Sequence, residues 1–238
     1  MATRLDKYLA KVGAGTRSEV KKLIRAKLVT VNGIPATKPE QKVDENTDEI
    51  CLRGEKLNYV EFEYYLFHKP AGCVSATEDN LHRTVMDYLV DVTTKDLFPV
   101  GRLDIDTEGL LLITNDGALA HELLSPAKHV SKNYYARIDG RVTEEDVILF
   151  EKGIDIGEDK PTKPAKLNIL KSDAVSEIEL TITEGKFHQV KRMFQAVGKE
   201  VIYLKRLSMG PLTLTGDLEP GDYRPLTSDE LNALGVKF

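Results

Sequence analysis

The chain has 238 residues, of which 41% are hydrophobic and 30% are charged, a composition typical of a globular protein with a sizeable core. No apolar run approaches the length of a membrane span, and the first ten positions already include charged residues, so we expect a cytoplasmic protein without a signal peptide or membrane anchor. Its two cysteines, Cys51 and Cys73, are too few for a disulfide framework or a four-ligand zinc site.

The charge is unevenly distributed along the chain. The formal net charge is −5, but the first 27 residues contain eight Lys or Arg and two acidic residues, a local excess of +6. The rest of the chain therefore carries −11. This balance argues against a uniformly basic nucleic-acid binder, whereas a basic patch on an acidic protein favours contact with a structured RNA at selected phosphates.

The N-terminal segment predicts two amphipathic helices. The first carries apolar side chains at helical spacing: Leu5, Tyr8, Leu9 and Val12. Thr16 and Glu19 have the spacing of a capping box and predict the start of the second helix. The inward side of that second helix is formed by Val20, Leu23 and Ile24.

The outward side of the second helix is basic. Arg17, Lys21 and Arg25 follow one another at intervals of four residues, and Lys22 lies alongside them. Taken alone, such a ridge is most simply a solvated helix face.

A small sheet is expected after the helices, because residues 28–31 alternate, Asn32-Gly33 predicts a hairpin turn and residues 49–52 offer a further strand. In this order, the segments RLDKYLA, TRSEVKKLI and LVTVNG resemble the S4 RNA-binding domain over roughly residues 2–57. In that family the second helix and the loop after it contact RNA. The resemblance therefore implies phosphate contacts from the basic ridge: Arg17, Lys21, Lys22 and Arg25.

A linker is expected where the sequence between Gly54 and Glu63 becomes polar and loses its periodicity. We therefore expect an S4 domain at residues 1–57, a linker at 58–63 and a second domain at 64–238.

The second domain is organised around residues 100–117, VGRLDIDTEGLLLITNDG. An arginine and four carboxylates accompany the apolar run Leu110–Ile113, which predicts a charged loop that leads into a buried strand. By composition alone, the loop would be a solvated turn with local ion pairs.

Other patterns predict the remaining elements of this domain. We expect strands at 64–67, from 131 onward and at 178–182, and helices at 119–124, at 143–152 and around Val190, Met193, Phe194 and Val197.

Four motifs of this domain resemble the pseudouridine synthases of the RsuA type. GRLDxxTxGLLLxTNDG resembles motif II of that family, Lys69-Pro70-Ala71-Gly72 resembles motif I, Lys132-Asn133-Tyr134 resembles its Lys-x-Tyr segment, and EGKFHQVKRM resembles motif III. The tail RLSMGPLTLTGDLEPGDYRPLT continues the likeness, which thus spans essentially the whole chain.

The resemblance implies a role for each matching residue. Asp104 corresponds to the catalytic carboxylate, and Lys191 to the basic residue that pairs with it and keeps it ionised. Tyr134 corresponds to the tyrosine that packs on the target base, with the adjacent Tyr135 as the alternative. Supporting residues are expected to contact RNA or shape the site: Lys69, Arg102 and Arg192.

The expected fold is therefore α+β, with a small S4 domain of two helices and a small sheet, linked to a synthase domain whose mixed, mainly antiparallel sheet is flanked by helices. The expected function is isomerisation of a uridine to pseudouridine in 16S ribosomal RNA, either free or in an assembling small subunit. We expect a monomer that needs no cofactor and no metal.

The sequence is compatible with three alternatives to this function. A synthase of the same family could act on 23S RNA, and a non-catalytic S4-type assembly factor could use the RNA-binding domain alone. The set Asp104, Tyr134 and Lys191 disfavours the second of these, because a pure binder does not need it. A uracil C5 methyltransferase acting through Cys73 would require an S-adenosylmethionine site that the sequence does not show.

Overall fold

Two compact units are visible in the computed structural model, which describes residues 2–45, 47–57, 62–90, 92 and 96–236. The N-terminal unit comprises the described residues up to Phe62 together with those between 91 and 96, and the C-terminal unit comprises the rest. Residues 58–61 of the expected linker lie outside the described residues. No helix of the described part of the chain is long and apolar enough to span a bilayer.

The N-terminal unit contains the two expected helices and small antiparallel sheets. Its elements are β1 (Ala2–Arg4), α1 (Leu5–Lys11), α2 (Arg17–Arg25), β2 (Val29–Val31), β3 (Ile34–Pro35), β4 (Lys42–Asp44), β5 (Ile50–Leu52) and β6 (Glu55–Lys56). Strands β3, β2, β5 and β6 form one sheet in that order, and β1 pairs with β4. Buried residues of both helices pack on these strands: Leu5, Tyr8, Leu9, Val20 and Ile24.

The local signals of this unit are confirmed. The Thr16 hydroxyl accepts a hydrogen bond from the Glu19 backbone N–H at 3.3 Å, and the Glu19 carboxylate accepts one from the Thr16 N–H at 2.7 Å, so the capping box that begins α2 is complete. Asn32 and Gly33 both have positive φ, 51° and 77°, as a tight hairpin turn between β2 and β3 requires.

The C-terminal unit alternates strands and helices. Its elements are β7 (Tyr64–Lys69), β8 (Phe98–Pro99), β9 (Glu108–Thr114), α3 (Gly117–Leu124), β10 (Lys132–Asp139), α4 (Glu144–Lys152), β11 (Lys166–Lys171), β12 (Val175–Ile182), α5 (Gln189–Ala196), β13 (Glu200–Met209), β14 (Leu212–Thr213), β15 (Tyr223–Pro225) and α6 (Ser228–Ala233).

One large sheet has the main strand order β11-β12-β10-β13-β9-β7-β15, with β14 beside β13 and β8 beside β9. The pairing of β9 with β13 is parallel, and the other pairings of described strands in this sheet are antiparallel. The expected α+β fold with a mixed, mainly antiparallel sheet is therefore confirmed.

The two halves of this sheet are covered by helices on opposite faces. One core joins β10 and β12 to α4 and α5, and it includes Leu204 of β13. The other joins β7 and β9 to α3 and α6, and it includes Leu110. Lys205 pairs with Glu108, so the side chains of these two residues share one face. Leu204 is one residue before Lys205, whereas Leu110 is two residues after Glu108. Because side chains alternate along each strand, Leu204 and Leu110 must point to opposite faces.

The covering helices change from one face of the sheet to the other at Gly109, where β9 pairs with β13. Gly109 has a φ of 111°, and a Cβ atom at this position would lie 2.3 Å from the Arg206 carbonyl oxygen. Arg206 is almost completely buried, and its Nε donates a hydrogen bond to the Leu110 carbonyl at 2.8 Å. Glycine is therefore required at the junction of the two half-sheets.

Replacement of Gly109 by alanine should destabilise the C-terminal unit by at least about 2 kcal/mol, because the new Cβ overlaps backbone and the positive φ is strained. Urea unfolding would measure the decrease in the free energy of unfolding. Gly117→Ala is the matched control, since an added Cβ there meets no atom within 4 Å. Equal stability of the two variants would contradict the proposed need for glycine at the junction.

Candidate active site

Asp104 lies in the loop between β8 and β9, and this loop is anchored at both sides. The Ser75 hydroxyl donates a hydrogen bond to the carbonyl of the buried Leu103 at 3.1 Å and accepts one from the Leu103 N–H at 3.0 Å. The Thr107 N–H donates to the Asp104 carbonyl at 3.0 Å and closes a turn. The Asp104 side chain is 26% exposed, so it is reachable from solvent yet held by a fixed backbone.

Lys69 stabilises this loop through hydrogen bonds to its backbone. It is fully buried at the end of β7, and its Nζ donates to the carbonyls of Pro70 and Thr107 at 2.9 Å and of Ile105 at 3.4 Å. Burial lowers the pKa of this ammonium, although nearby acidic groups oppose the shift. The Gly72 N–H also donates to the Ile105 carbonyl, at 2.7 Å. The Lys-Pro-x-Gly segment thus fixes the backbone that carries Asp104.

Lys191 of α5 brings a cation to Asp104. Its Nζ lies 3.3 Å from Asp104 Oδ2 and 2.6 Å from Asp106 Oδ1, so one ammonium is shared by two carboxylates. Burial favours a lower pKa for Lys191, but the hydrogen bond to Asp106 and the charges of both carboxylates outweigh it and raise the pKa. Burial likewise favours a higher pKa for Asp106, but the hydrogen bond from Lys191 and its charge lower it overall.

Asp106 and His188 were not among the residues expected in the site. His188 Nε2 lies 3.5 Å from Asp104 Oδ1, and the residue adopts a left-handed backbone with a φ of 48° just before α5. The role of Asp106 could have been inferred from its position, because it lies two residues after Asp104 in the same charged loop. His188 lies inside the motif III segment EGKFHQVKRM, but no pattern in that segment links it to Asp104. No cluster of three potential metal ligands occurs among the residues described.

Tyr134 and Tyr135 point to opposite faces of the sheet, as strand alternation predicts. Tyr134 is 7% exposed and belongs to the same buried cluster as Leu103, the neighbour of Asp104. The Tyr135 hydroxyl instead donates to Glu177 Oε2 at 2.8 Å, and its ring contacts Tyr203 edge-on. Tyr134 is thus the tyrosine on the Asp104 side of the sheet.

The two arginines expected to contact RNA have different surroundings. Arg102 is exposed and makes no hydrogen bond or ion pair within the described ranges. Arg192 is partly buried: its guanidinium donates to Glu158 Oε1 at 2.7 Å, to the Phe187 carbonyl at 3.1 Å and to the Ile156 carbonyl. Arg192 therefore joins two loops of the protein while its side chain stays 27% exposed, and its contact with RNA stays a prediction.

Cys73 lacks the features of a nucleophile. It is buried, its thiol donates to the Pro70 carbonyl at 3.5 Å, and burial raises its pKa. A neutral, enclosed thiol does not suit a methyltransferase that attacks through cysteine.

All four cations of the ridge on α2 are exposed: Arg17, Lys21, Lys22 and Arg25. Their side chains are therefore accessible to a polyanion.

Both units of the chain match known families. A family model described as RNA pseudouridylate synthase matches residues 63–196, and one described as S4 domain matches residues 3–49. An uncharacterized RNA pseudouridine synthase of Bacillus subtilis is 50% identical over 97% of this chain and 98% of that protein. A ribosomal small subunit pseudouridine synthase A of Yersinia pestis is 39% identical over 98% of both chains. A crystal structure of a pseudouridylate synthase has a TM-score of 0.69 at 39% identity, over 97% of this chain and 99% of that one.

Lys69→Met should loosen the loop that carries Asp104, because three backbone carbonyls lose their buried donor. Amide hydrogen exchange of Gly72 and Thr107 should become roughly tenfold faster or more. Lys199→Met is the matched control: it removes a 2.8 Å ion pair with the buried Asp146 in the same unit without contacting the loop. Unchanged exchange in the Lys69 variant, or equal acceleration in the control, would contradict the bracing role.

Proposed function

This chain belongs to the RNA pseudouridylate synthase family, and we propose that it converts a uridine of small-subunit ribosomal RNA into pseudouridine. In this reaction the bond from ribose C1′ to uracil N1 breaks and a bond from C1′ to C5 forms. The C5 hydrogen is released as a proton and N1 gains one, so no electrons are exchanged with a redox partner. The small-subunit target is supported by relatives named for that activity, at 39% identity over nearly the full length.

Asp104 is the proposed catalytic carboxylate, and the observation that carries this role is its contact with the shared ammonium of Lys191, 3.3 Å away. At an effective dielectric constant of about 20, one such pair attracts with roughly 4–5 kcal/mol before the cost of desolvation is subtracted. Attack on C1′, attack on C6 and abstraction of a ribose proton all need an ionised carboxylate. Lys191 places its positive charge against Asp104 without touching the reacting carbon.

The cluster of Asp104, Asp106 and Lys191 retains a net negative charge, because one ammonium faces two carboxylates. Lys191 contacts Asp106 Oδ1 at 2.6 Å and Asp104 Oδ2 at 3.3 Å, so Asp104 Oδ1 faces away from the ammonium, toward His188 Nε2 at 3.5 Å. Negative charge is therefore available where an electron-poor carbon of the nucleotide would arrive.

The target base must leave its stack before it can reach Asp104. Tyr134 supplies an aromatic surface on the same side of the sheet, beside Leu103. The exposed Arg102 has no partner among the described residues and is free to bind a phosphate of the extruded nucleotide. Arg192, engaged with Glu158, also positions the protein loops.

The N-terminal unit is proposed to hold the RNA through the cationic ridge of α2. Its four exposed cations suit the positions of phosphates along a backbone, which confer affinity without reading the sequence. The same proposal includes action as a monomer in the cytoplasm on the small-subunit RNA or its assembling particle.

Asp104→Asn should abolish release of tritium from small-subunit RNA labelled at uridine C5, while RNA affinity changes less than about twofold, because an amide can neither attack nor accept the proton. Asp106→Asn removes the same charge two residues away and should keep measurable turnover. Appreciable release by the Asp104 variant would remove that residue from its role. Release from large-subunit RNA alone would instead overturn the proposed substrate.

Neutralising Arg17, Lys21 and Arg25 to glutamine should reduce the slope of log affinity against log salt by about 2 to 3, since each phosphate contact contributes about 0.9. A control triple on the C-terminal unit, with exposed lysines changed to glutamine, should keep the slope of the wild type: Lys152, Lys166 and Lys171. Equal slopes for the two triples would contradict RNA binding by α2.

A further inference from the structure

We propose that Phe187 and His188 form a stacking platform for a second unpaired nucleobase, next to the target uridine in the RNA. This inference rests on the proposed role of Asp104, because it places the platform beside that carboxylate. Its ligand class is a purine or pyrimidine base that has been separated from its helical stack.

One face of the Phe187 ring packs on His188, and the other face is available for stacking. The ring lies on the His188 imidazole with centroids 3.8 Å apart and planes inclined by 18°. Phe187 is nevertheless 69% exposed. A ring covered on one face can be so exposed only if its other face is open, so an aromatic stack of two rings ends in solvent.

The location of the stack relates it to the reaction. His188 Nε2 lies 3.5 Å from Asp104 Oδ1, on the side of the carboxylate away from the oxygen that faces Lys191. Single exposed apolar residues are common on protein surfaces. Phe187 differs from them because its neighbour in the stack contacts the proposed catalytic group.

The loop that carries Phe187 is fixed by polar contacts. The Phe187 carbonyl accepts a hydrogen bond from Arg192 at 3.1 Å, and the Lys186 N–H donates to Gln189 Oε1 at 2.9 Å. Gln189 in turn donates to Glu184 Oε1 at 2.9 Å. An exposed aromatic ring held in place without burial loses little conformational freedom when a base stacks on it. This also gives Arg192 a function, because it positions the platform.

Stacking suits the ligand, because proteins recognise unpaired RNA bases mainly by placing them on aromatic side chains. The second base would be a neighbour of the extruded uridine, which loses its own stacking partner when the target leaves the helix. Removing one such platform commonly weakens binding by about 5- to 100-fold.

The chain contains no tryptophan, so Phe187→Trp introduces a unique reporter. Titration of this variant with a small-subunit RNA fragment that contains the target should quench the tryptophan emission saturably. Ile148→Trp is the control: Ile148 is 50% exposed on α4, which packs against the edge strand β11, and its emission should stay unchanged. Absence of quenching at position 187, or equal quenching at 148, would overturn the proposal.

Kinetics give a second, independent readout. Phe187→Leu keeps an apolar side chain but removes the aromatic face, and it should lower kcat/KM about 5- to 100-fold, mainly through KM, whereas Phe187→Tyr should restore it. Wild-type kinetics in the leucine variant would contradict the platform.

Performing the fluorescence titration in an Asp104→Asn background separates the two proposals. Quenching there supports stacking without turnover, whereas turnover by Asp104→Asn refutes the catalytic assignment whether or not position 187 is quenched.

Discussion

The site depends on one ammonium group placed between two carboxylates of one loop. Lys191 ties α5, which belongs to the core of one half-sheet, to the loop that precedes β9 in the other half. Because the cation is held by Asp106 at the shorter distance, Asp104 is oriented without being fully neutralised. The contact of Lys191 with the two carboxylates therefore joins α5 to the loop before β9 and leaves Asp104 with negative charge for the proposed reaction.

The β9–β13 junction and Lys69 position the segments that make this contact. The parallel meeting of β9 and β13 at Gly109 lets the helices cover opposite faces of the two half-sheets. Lys69 stabilises the intervening loop through hydrogen bonds to three backbone carbonyls, whereas the ammonium in direct contact with Asp104 is that of Lys191.

Much of the fold could be predicted from local sequence, because caps, glycines and apolar periodicity act over a few residues. The capping box of α2, the Asn32-Gly33 turn and the strand Leu110–Ile113 are of this kind. The approach of Lys191 to Asp104 was expected only from family resemblance. The engagement of Arg192 with Glu158 and the sharing of Lys191 with Asp106 join segments 34 and 85 residues apart, so no local pattern predicts them.

The most direct test of the central claim is a crystal structure of the wild-type protein bound to RNA that carries 5-fluorouridine at the target position, because this base has no C5 hydrogen to release. The extruded ring or its ribose should lie within about 3.5 Å of the Asp104 carboxylate, with Lys191 on the far side of that group. A target nucleotide bound elsewhere, with none of its atoms near the Asp104 carboxylate, would contradict the account.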